Sequence, residues 1–478
     1  MTMTINRFAR FAGLSLMAGT LVIAGCDDVT DELLEVRDPD TVSPETLQDP
    51  STLPFQVNGA IDEFVSGYSG GGDAFISTTA LMSDEFFSSG TFTTRTATDR
   101  RDQFGPQNGN TTDGPYGDLH DARRATRSAA VALENFASTS DPRWSEMRSL
   151  EAMATLALAE AYCPAIPLSE VNPEAPESQS DFLFGQPLSG AAVMQRSIQL
   201  ADEAIAAGGA SLPAVVKGRA LLDLGQFAAA ASAVSAVPTD FVYFTFHSNS
   251  AQDSPIFGLQ DNGRYSMGDN EGINGLPYRT DGFAPAGSRE PNETGDPRIP
   301  WFRPDDKEGF DGNIPLFMTL RYVDDFSPIA VATGVEARLI EAEAALNAGD
   351  VSGMLTILND MRADVANLMD VITDGIVQAT TTLDPLTDPG TAAARVDMLF
   401  KERAYWLHLT GRRMPDLRRL VNQYGRAAES VYPTGNYFKG GVYGTDVNFF
   451  LAFEEETNNP NVTSIEAICD VGTASFGS

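Results

Sequence analysis

The sequence predicts a mainly α-helical, repeat-based scaffold broken by one long loop-rich insertion. Three observations carry this. Alanine and leucine recur at three- and four-residue steps over several long stretches. Two distant helix–glycine–helix phrases share one spacing. Residues 239–330 drop the helical period for Gly, Pro, Asn and Asp, dotted with aromatics.

From the amino end, Arg7 and Arg10 precede an apolar stretch from Phe11 to Ala24, followed by Ile23-Ala24-Gly25-Cys26. That is the layout of a secretory signal peptide over residues 1–25, with a cysteine where cleavage occurs. The spacing resembles the bacterial lipobox, which implies a lipid such as palmitate on Cys26. Asp27 and Asp28 end the apolar run short of the roughly 20 residues a membrane span requires. Residues 26–55, punctuated by Pro39, Pro44, Pro50 and Pro54, read as an extended tether.

Helical periodicity then runs over 56–238. It begins at about Leu53–Ser66 and breaks at Gly67-Tyr68-Ser69-Gly70-Gly71-Gly72. It resumes over Tyr116–Ala137 through Leu119, Ala122, Ala125, Ala129 and Leu133, and again over 143–162, where Cys163-Pro164 stops it. Within 190–237, Gly225 is followed by Phe227, Ala230, Val234 and Val237. At 345–361, Gly349 is followed by Val351, Met354, Leu358 and Met361. Offsets of 2, 5, 9 and 12 from each glycine coincide. This resembles the tetratricopeptide repeat, in which a left-handed glycine joins two closely packed antiparallel helices. The two glycines stand 124 residues apart, so insertions interrupt the array. In the insertion, 239–330, the short apolar groups Phe241–Phe246 and Ile314–Tyr322 are expected as strands and the remainder as ordered loop, where binding residues tend to sit. Residues 331–478 return to helix.

The stretch 392–420 carries Glu402, Arg403, Leu407, Gly411, Arg413, Asp416, Leu417, Arg418 and Arg419. This pattern resembles the closing helix of the SusD/RagB family of nutrient-uptake outer-membrane lipoproteins. Trp406 and Thr410 stand where that pattern has acids, and Pro415 where it has an aromatic. Glu455 with Asn458-Asn459-Pro460-Asn461, the segment Glu336–Gly349 with Leu358-Asn359-Asp360-Met361-Arg362, and the Leu34-Glu35-Val36…Asp38-Pro39 opening are similar to further motifs of the family. Read from the residues alone, 392–420 is structural: Met398, Leu399, Tyr405, Trp406 and Leu409 form an apolar stripe, Gly411 ends a helix, and Asp416 to Arg419 form a capped turn with paired charges. The resemblance implies a SusD-like fold and no catalysis. It further implies a lipid-anchored protein on the outer membrane, at the cell surface, that captures a glycan, peptide or other nutrient for a SusC-like TonB-dependent transporter.

A sugar presents an apolar C–H face, which an exposed aromatic ring can cover while amides and carboxylates bind its hydroxyls. Candidates in the insertion are Tyr265, Tyr278, Trp301 and Phe302, with Asn262, Asn270 and Asn274 nearby. Trp144 and Trp406 fall in helices and read as core.

The formal charge is −34, from 66 acidic and 32 basic side chains. Removing residues 1–25 takes two arginines and no acid, so the remainder carries −36. Nucleic acid and anionic lipid headgroups are repelled by such a surface. Cys163 and Cys469 are left after lipidation, and in an exported setting they have the option of pairing. Gly67-Tyr68-Ser69-Gly70-Gly71 matches Gly-x-Ser-x-Gly in letters, but a helical pattern precedes it where a nucleophile elbow needs a strand. His120, His247 and His408 are scattered, which points away from a transition-metal site. Acidic loops at Asp305-Asp306…Glu308…Asp311 and Asp269…Glu271 are the places for calcium, without EF-hand spacing. Two alternatives stay open at this level: a surface-anchored hydrolase such as a two-carboxylate glycosidase, and a repeat-based adaptor for a protein partner.

Overall fold

The computed structural model describes residues 49–172, 182–248 and 252–477. Cys26, the signal peptide and the tether up to residue 48 lie outside them. Pro50–Ser478 form one compact unit.

Helices α1 (Leu53–Tyr68), α2 (Phe75–Met82), α3 (Thr93–Asp99), α4 (Asp113–Phe136) and α5 (Pro142–Ala161) come first, with strand β1 (Phe86–Ser88) between α2 and α3. The tether read over 26–55 therefore ends by Thr52, because Leu53-Pro54-Phe55 forms the first turn of α1, where proline's missing N–H costs nothing. Then follow α6 (Gly190–Ala206), α7 (Ser211–Asp223) and α8 (Phe227–Val234). The insertion holds β2 (Val242–Thr245), α9 (Pro255–Asp261), β3 (Tyr265–Met267) and β4 (Asp296–Phe302), and the chain leaves it through β5 (Ile329–Thr333). The scaffold resumes with α10 (Gly334–Asn347), α11 (Val351–Ala363), α12 (Val365–Ile372), α13 (Ala392–Trp406) and α14 (Arg413–Asn422).

The helices pack in file: α1 on α4, α4 on α5, α5 on α6, then α7, α8, α10 and α11, each against the last. Local chemistry sets their starts. Asp141, Ser189, Thr333, Asp350 and Thr391 each accept a hydrogen bond from a first-turn N–H, filling donors that the helix leaves open. At the two helix–helix turns, Gly225 and Gly349 take φ of +71° and +81°, the left-handed region expected of a repeat turn. Of the residues at the shared offsets, Ala230, Val234, Val237, Met354, Leu358 and Met361 are buried, while Phe227 and Val351 at the first offset are half-buried. Helix α5 is buried on nearly every side from Trp144 to Ala161 and forms the axis of the core.

Short strands tie the insertion to this scaffold. β1 pairs antiparallel with β3, with Phe87 opposite Ser266, and β2 pairs antiparallel with β5, closing the insertion at its base. Phe241–Phe246 thus contains a strand as expected, whereas Ile314–Tyr322 contributes only Met318–Thr319, paired to β4.

The closing segment is an ionic clamp. Asp416, Arg418 and Arg419 lie within α14, not in a capped turn. Their charges are satisfied by neighbouring helices, which lets the backbone continue as helix. Arg403 grips Asp416 at 2.8 and 2.9 Å, and Arg419 pairs with Glu343 and Asp416. Glu402 and Arg403, adjacent in sequence, face different partners: Glu402 takes Arg298 and Arg362, both at 2.6 Å. Arg412 binds Glu160, and Arg413 binds Asp84. Arg418 donates to the carbonyls of Ala159, Glu160 and Ala474, joining the end of α5 to the chain's tail. Cys163 and Cys469 form a disulfide there, with Cα atoms 5.4 Å apart. A buried charge needs a partner, and here nearly every one has it.

Candidate functional site

The β1–β3 pairing places two chain segments of distant origin side by side at one surface. Just after β1, Gly90-Thr91-Phe92 leads into α3. Just before β3, Gly263-Arg264 runs alongside, with the Ser89 N–H bonded to the Arg264 carbonyl at 2.9 Å. A third segment joins them: the Phe310 N–H donates to the Gly263 carbonyl at 2.8 Å and the Asp311 N–H to the Ser89 carbonyl at 3.1 Å. Phe92 and Phe310 end up together at the surface, 50% and 54% exposed. The Arg264 guanidinium stacks on both rings, 3.3 Å from the Phe310 centroid and 4.7 Å from that of Phe92.

Beside this platform opens a cavity of about 500 Å³, lined by Phe92 together with Asp73, Thr94, Arg95, Asn110 and Asp118. Its wall is rigid. Arg95 donates to both Asp73 oxygens at 2.9 to 3.1 Å, and the Tyr265 hydroxyl donates to Asp73 at 2.8 Å. Burial, then the Asp73 charge, raises the Tyr265 hydroxyl well above its ordinary range, so it stays a proton donor. Thr111 donates to Thr94 at 2.9 Å, and Asn110 is held by the backbone of Phe104, a third exposed ring. Burial and the neighbouring Asp121 raise the Asp118 carboxyl above its usual range. Burial and then repulsion from Arg95 lower the Arg264 guanidinium. The arrangement offers flat apolar faces beside fixed donors and acceptors, with no nucleophile held by a base.

The sequence-predicted residues are placed differently. Tyr265 and Tyr278 are fully buried and Trp301 is 4% exposed. Tyr265 supports the cavity from beneath through Asp73. Tyr278 packs against Tyr405 and His408, and Trp301 packs against Phe317 while its indole N–H donates to the Arg279 carbonyl. None of these three rings can stack on a sugar; the insertion folds back on the helices and uses them as its own core. Phe302 is half-buried at the end of β4, opposite Met318. Asn262 and Asn274 bond backbone, the latter to the carbonyls of Glu429 and Tyr432, and Asn270 bonds Asp269. Trp144 and Trp406 are core, as read. Ser69 is buried at the end of α1 and donates to Thr245. Among the described residues no group of three or more His, Cys, Asp or Glu side chains is placed to hold a metal. Asp269, Glu271 and Asp311 instead accept hydrogen bonds within their own loops.

Sequence reasoning missed Phe92, Arg264 and Phe310. A signal existed for the first: one aromatic in Gly90-Thr91-Phe92-Thr93-Thr94, where no apolar periodicity offers it a core.

No model of a protein family matches the chain, and no curated protein matches it. Solved structures do. A SusD/RagB family protein from Bacteroides thetaiotaomicron superposes with a TM-score of 0.58 at 11% identity, over 89% of this chain and 96% of that one. A SusD-like carbohydrate-binding protein from Bacteroides fragilis gives 0.58 at 14% identity, over 87% and 99%. Surface glycan-binding protein A from Bacteroides uniformis gives 0.57 at 13% identity, over 87% and 99%. Likeness over nearly the full length of each, at identities this low, is likeness of architecture: the chain has the SusD/RagB fold.

Proposed function

We propose that this chain is a nutrient-binding lipoprotein that holds a glycan on the Phe92–Arg264–Phe310 platform and its adjoining cavity. The observation that carries the proposal is the pair of half-exposed phenyl rings set beside a rigid polar hollow. Isolated exposed rings are common, but two rings brought together from distant segments, one of them lining a cavity, match what a sugar needs: an apolar face and oriented hydrogen-bond partners. The fold supports the same reading, since two of the structures it resembles are described as carbohydrate- or glycan-binding.

In this reading Cys26 carries the lipid, residues 27–52 form the mooring, and the protein sits at the outer-membrane surface. There it passes its ligand to a SusC-like TonB-dependent transporter. Among the described residues no helix is long and apolar enough to cross a membrane. The protein acts by binding alone. The cavity carboxylate nearest the rings, Asp73, is engaged on both oxygens by Arg95 and Tyr265.

Titration of the purified chain against a panel of plant, algal and bacterial polysaccharides tests this. Phe92→Ala and Phe310→Ala each lower affinity for the bound glycan about 5- to 50-fold, as the loss of one aromatic contact of about 1 to 2 kcal/mol requires. Unchanged affinity in both variants sinks the site assignment. Release of new reducing ends from the bound polysaccharide sinks the binding-only reading.

A further inference from the structure

Arg264 belongs to a small set of arginines with no carboxylate partner among the described residues; Arg279, stacked on Phe317, is another. Acids outnumber bases 66 to 32, so a surface arginine ordinarily finds a carboxylate. Its neighbours do: Arg95 pairs with Asp73, Lys307 with Asp261, Lys439 with Asp311 and Arg289 with Glu308. Arg264 pairs with none of the described residues, and its guanidinium donates no hydrogen bond to them; its only contacts of note are the two rings on its faces. None of its nitrogens is both buried and unpartnered, so the N–H edge opens to solvent. A second guanidinium, Arg95, lies 4.9 Å from the centroid of the same Phe92 ring and disfavours the charge on Arg264.

With its carbon 3.3 Å from the Phe310 centroid and 4.7 Å from that of Phe92, the guanidinium is held against aromatic surface before any ligand arrives, and its N–H groups are what it has left to bind with. The in-plane fork matches two oxygens of a carboxylate or sulfate. With Asp118, which also lines the cavity, Arg95, Asp73 and Arg264 sum to zero, so the local group is neutral on a surface that is otherwise strongly negative. A neutral sugar gives no reason to keep an unpaired cation there.

We infer that the platform selects an acidic glycan, with a uronate carboxylate or a sulfate ester lying against the Arg264 edge while a sugar ring stacks on Phe92 or Phe310. This rests on the glycan-binding reading of the platform and adds the substrate class. A charge-assisted bond of this kind corresponds to roughly a 10- to 100-fold preference over the uncharged counterpart. The molecule's overall charge opposes it only at long range, where salt screens it.

The test uses the full purified chain at about 0.15 M salt with four probes. Polygalacturonate and its carboxyl-reduced form differ only in the carboxylate; dextran sulfate and dextran differ only in the sulfate. The expected result is at least tenfold tighter binding to one charged polymer than to its neutral counterpart, with that preference reduced to within threefold in Arg264→Gln. Preference confined to the first pair assigns a carboxylate, and to the second a sulfate. Thermal melting of the variant serves as the folding control, because the side chain makes no buried bond. Equal or weaker binding of both charged polymers by the wild type overturns the inference, as does a preference that survives Arg264→Gln. If Phe92→Ala weakens binding of neutral and charged polymers alike while charge makes no difference, the platform stands and only the acidic selectivity falls. If Phe92→Ala and Phe310→Ala change nothing, the platform itself falls.

Discussion

Asp99 closes α3 directly beneath the platform, 2% exposed, with one oxygen accepting from the Ser88 N–H at 2.8 Å and from the Tyr437 hydroxyl at 2.7 Å. No cation pairs with it among the described residues, and burial pushes its carboxyl from 3.8 up to about 8 despite those two bonds. The folded protein therefore holds the proton more tightly than the unfolded chain does. The stabilisation is complete below about pH 4 and is lost as pH rises from about 4 to about 8. A difference of about four units at about 1.4 kcal/mol each gives a loss of about 5 kcal/mol across that window. Asp99→Asn keeps an acceptor oxygen for both donors and has no proton to lose. Urea unfolding of wild type and variant at pH 4.5 and pH 8 measures the effect. The two proteins should be nearly equal at the lower pH, with the variant more stable by several kcal/mol at the higher. Glu85, also raised to about 8 by burial, is present in both and cancels in the difference. A stability difference that stays constant with pH refutes the reasoning, because it means that Asp99 carries the same charge folded and unfolded.

Three further perturbations have defined outcomes. Cys163→Ser removes a cross-link between residues 306 apart and should lower unfolding free energy by about 3 to 5 kcal/mol; reduction of the wild type under non-denaturing conditions should reproduce it in a melting experiment. Gly411→Ala places a methyl 2.7 Å from the Phe75 ring on a backbone with φ of +76°, and should cost about 2 kcal/mol or more by denaturant titration. Glu402→Ala takes from buried Arg298 and half-buried Arg362 their shared partner, leaving Arg298 with Asp296, and should cost about 3 kcal/mol, whereas Asp397→Ala on the exposed side of the same helix should cost under about 1 kcal/mol.

The scaffold was legible because helix burial repeats in sequence. Leu119, Ala122, Ala129 and Leu133 reveal α4's buried face by spacing alone, and Gly225 and Gly349 mark their turns because only glycine accepts such a backbone cheaply. The closing segment was legible as structural, but its last part was misread. Asp416 to Arg419 has the composition of a polar turn, and it is helix because Arg403 and Glu343 on other elements meet the charges of Asp416 and Arg419, while the carbonyls of Ala159 and Glu160 accept from Arg418. The proposed binding surface was the least legible part. Exposure of an aromatic is a property of the packed fold: Tyr278 and Trp301 sit in a loop-rich stretch as Phe310 does, yet Tyr405 of α13 packs on the first and Phe317 on the second, while the third is left open. Phe92 and Arg264 meet only through the β1–β3 pairing, across more than 170 residues of chain.

The link between Cys163 and Cys469 also changes what a broken backbone means. A protease that cuts the exposed turn at Asp305-Asp306 severs the chain but releases nothing, since each fragment contributes one half of the disulfide. The clipped molecule runs as a single band until a reductant is added. Arg412 on the second fragment still holds Glu160 on the first. Damage to the peptide backbone and loss of the molecule become separate events.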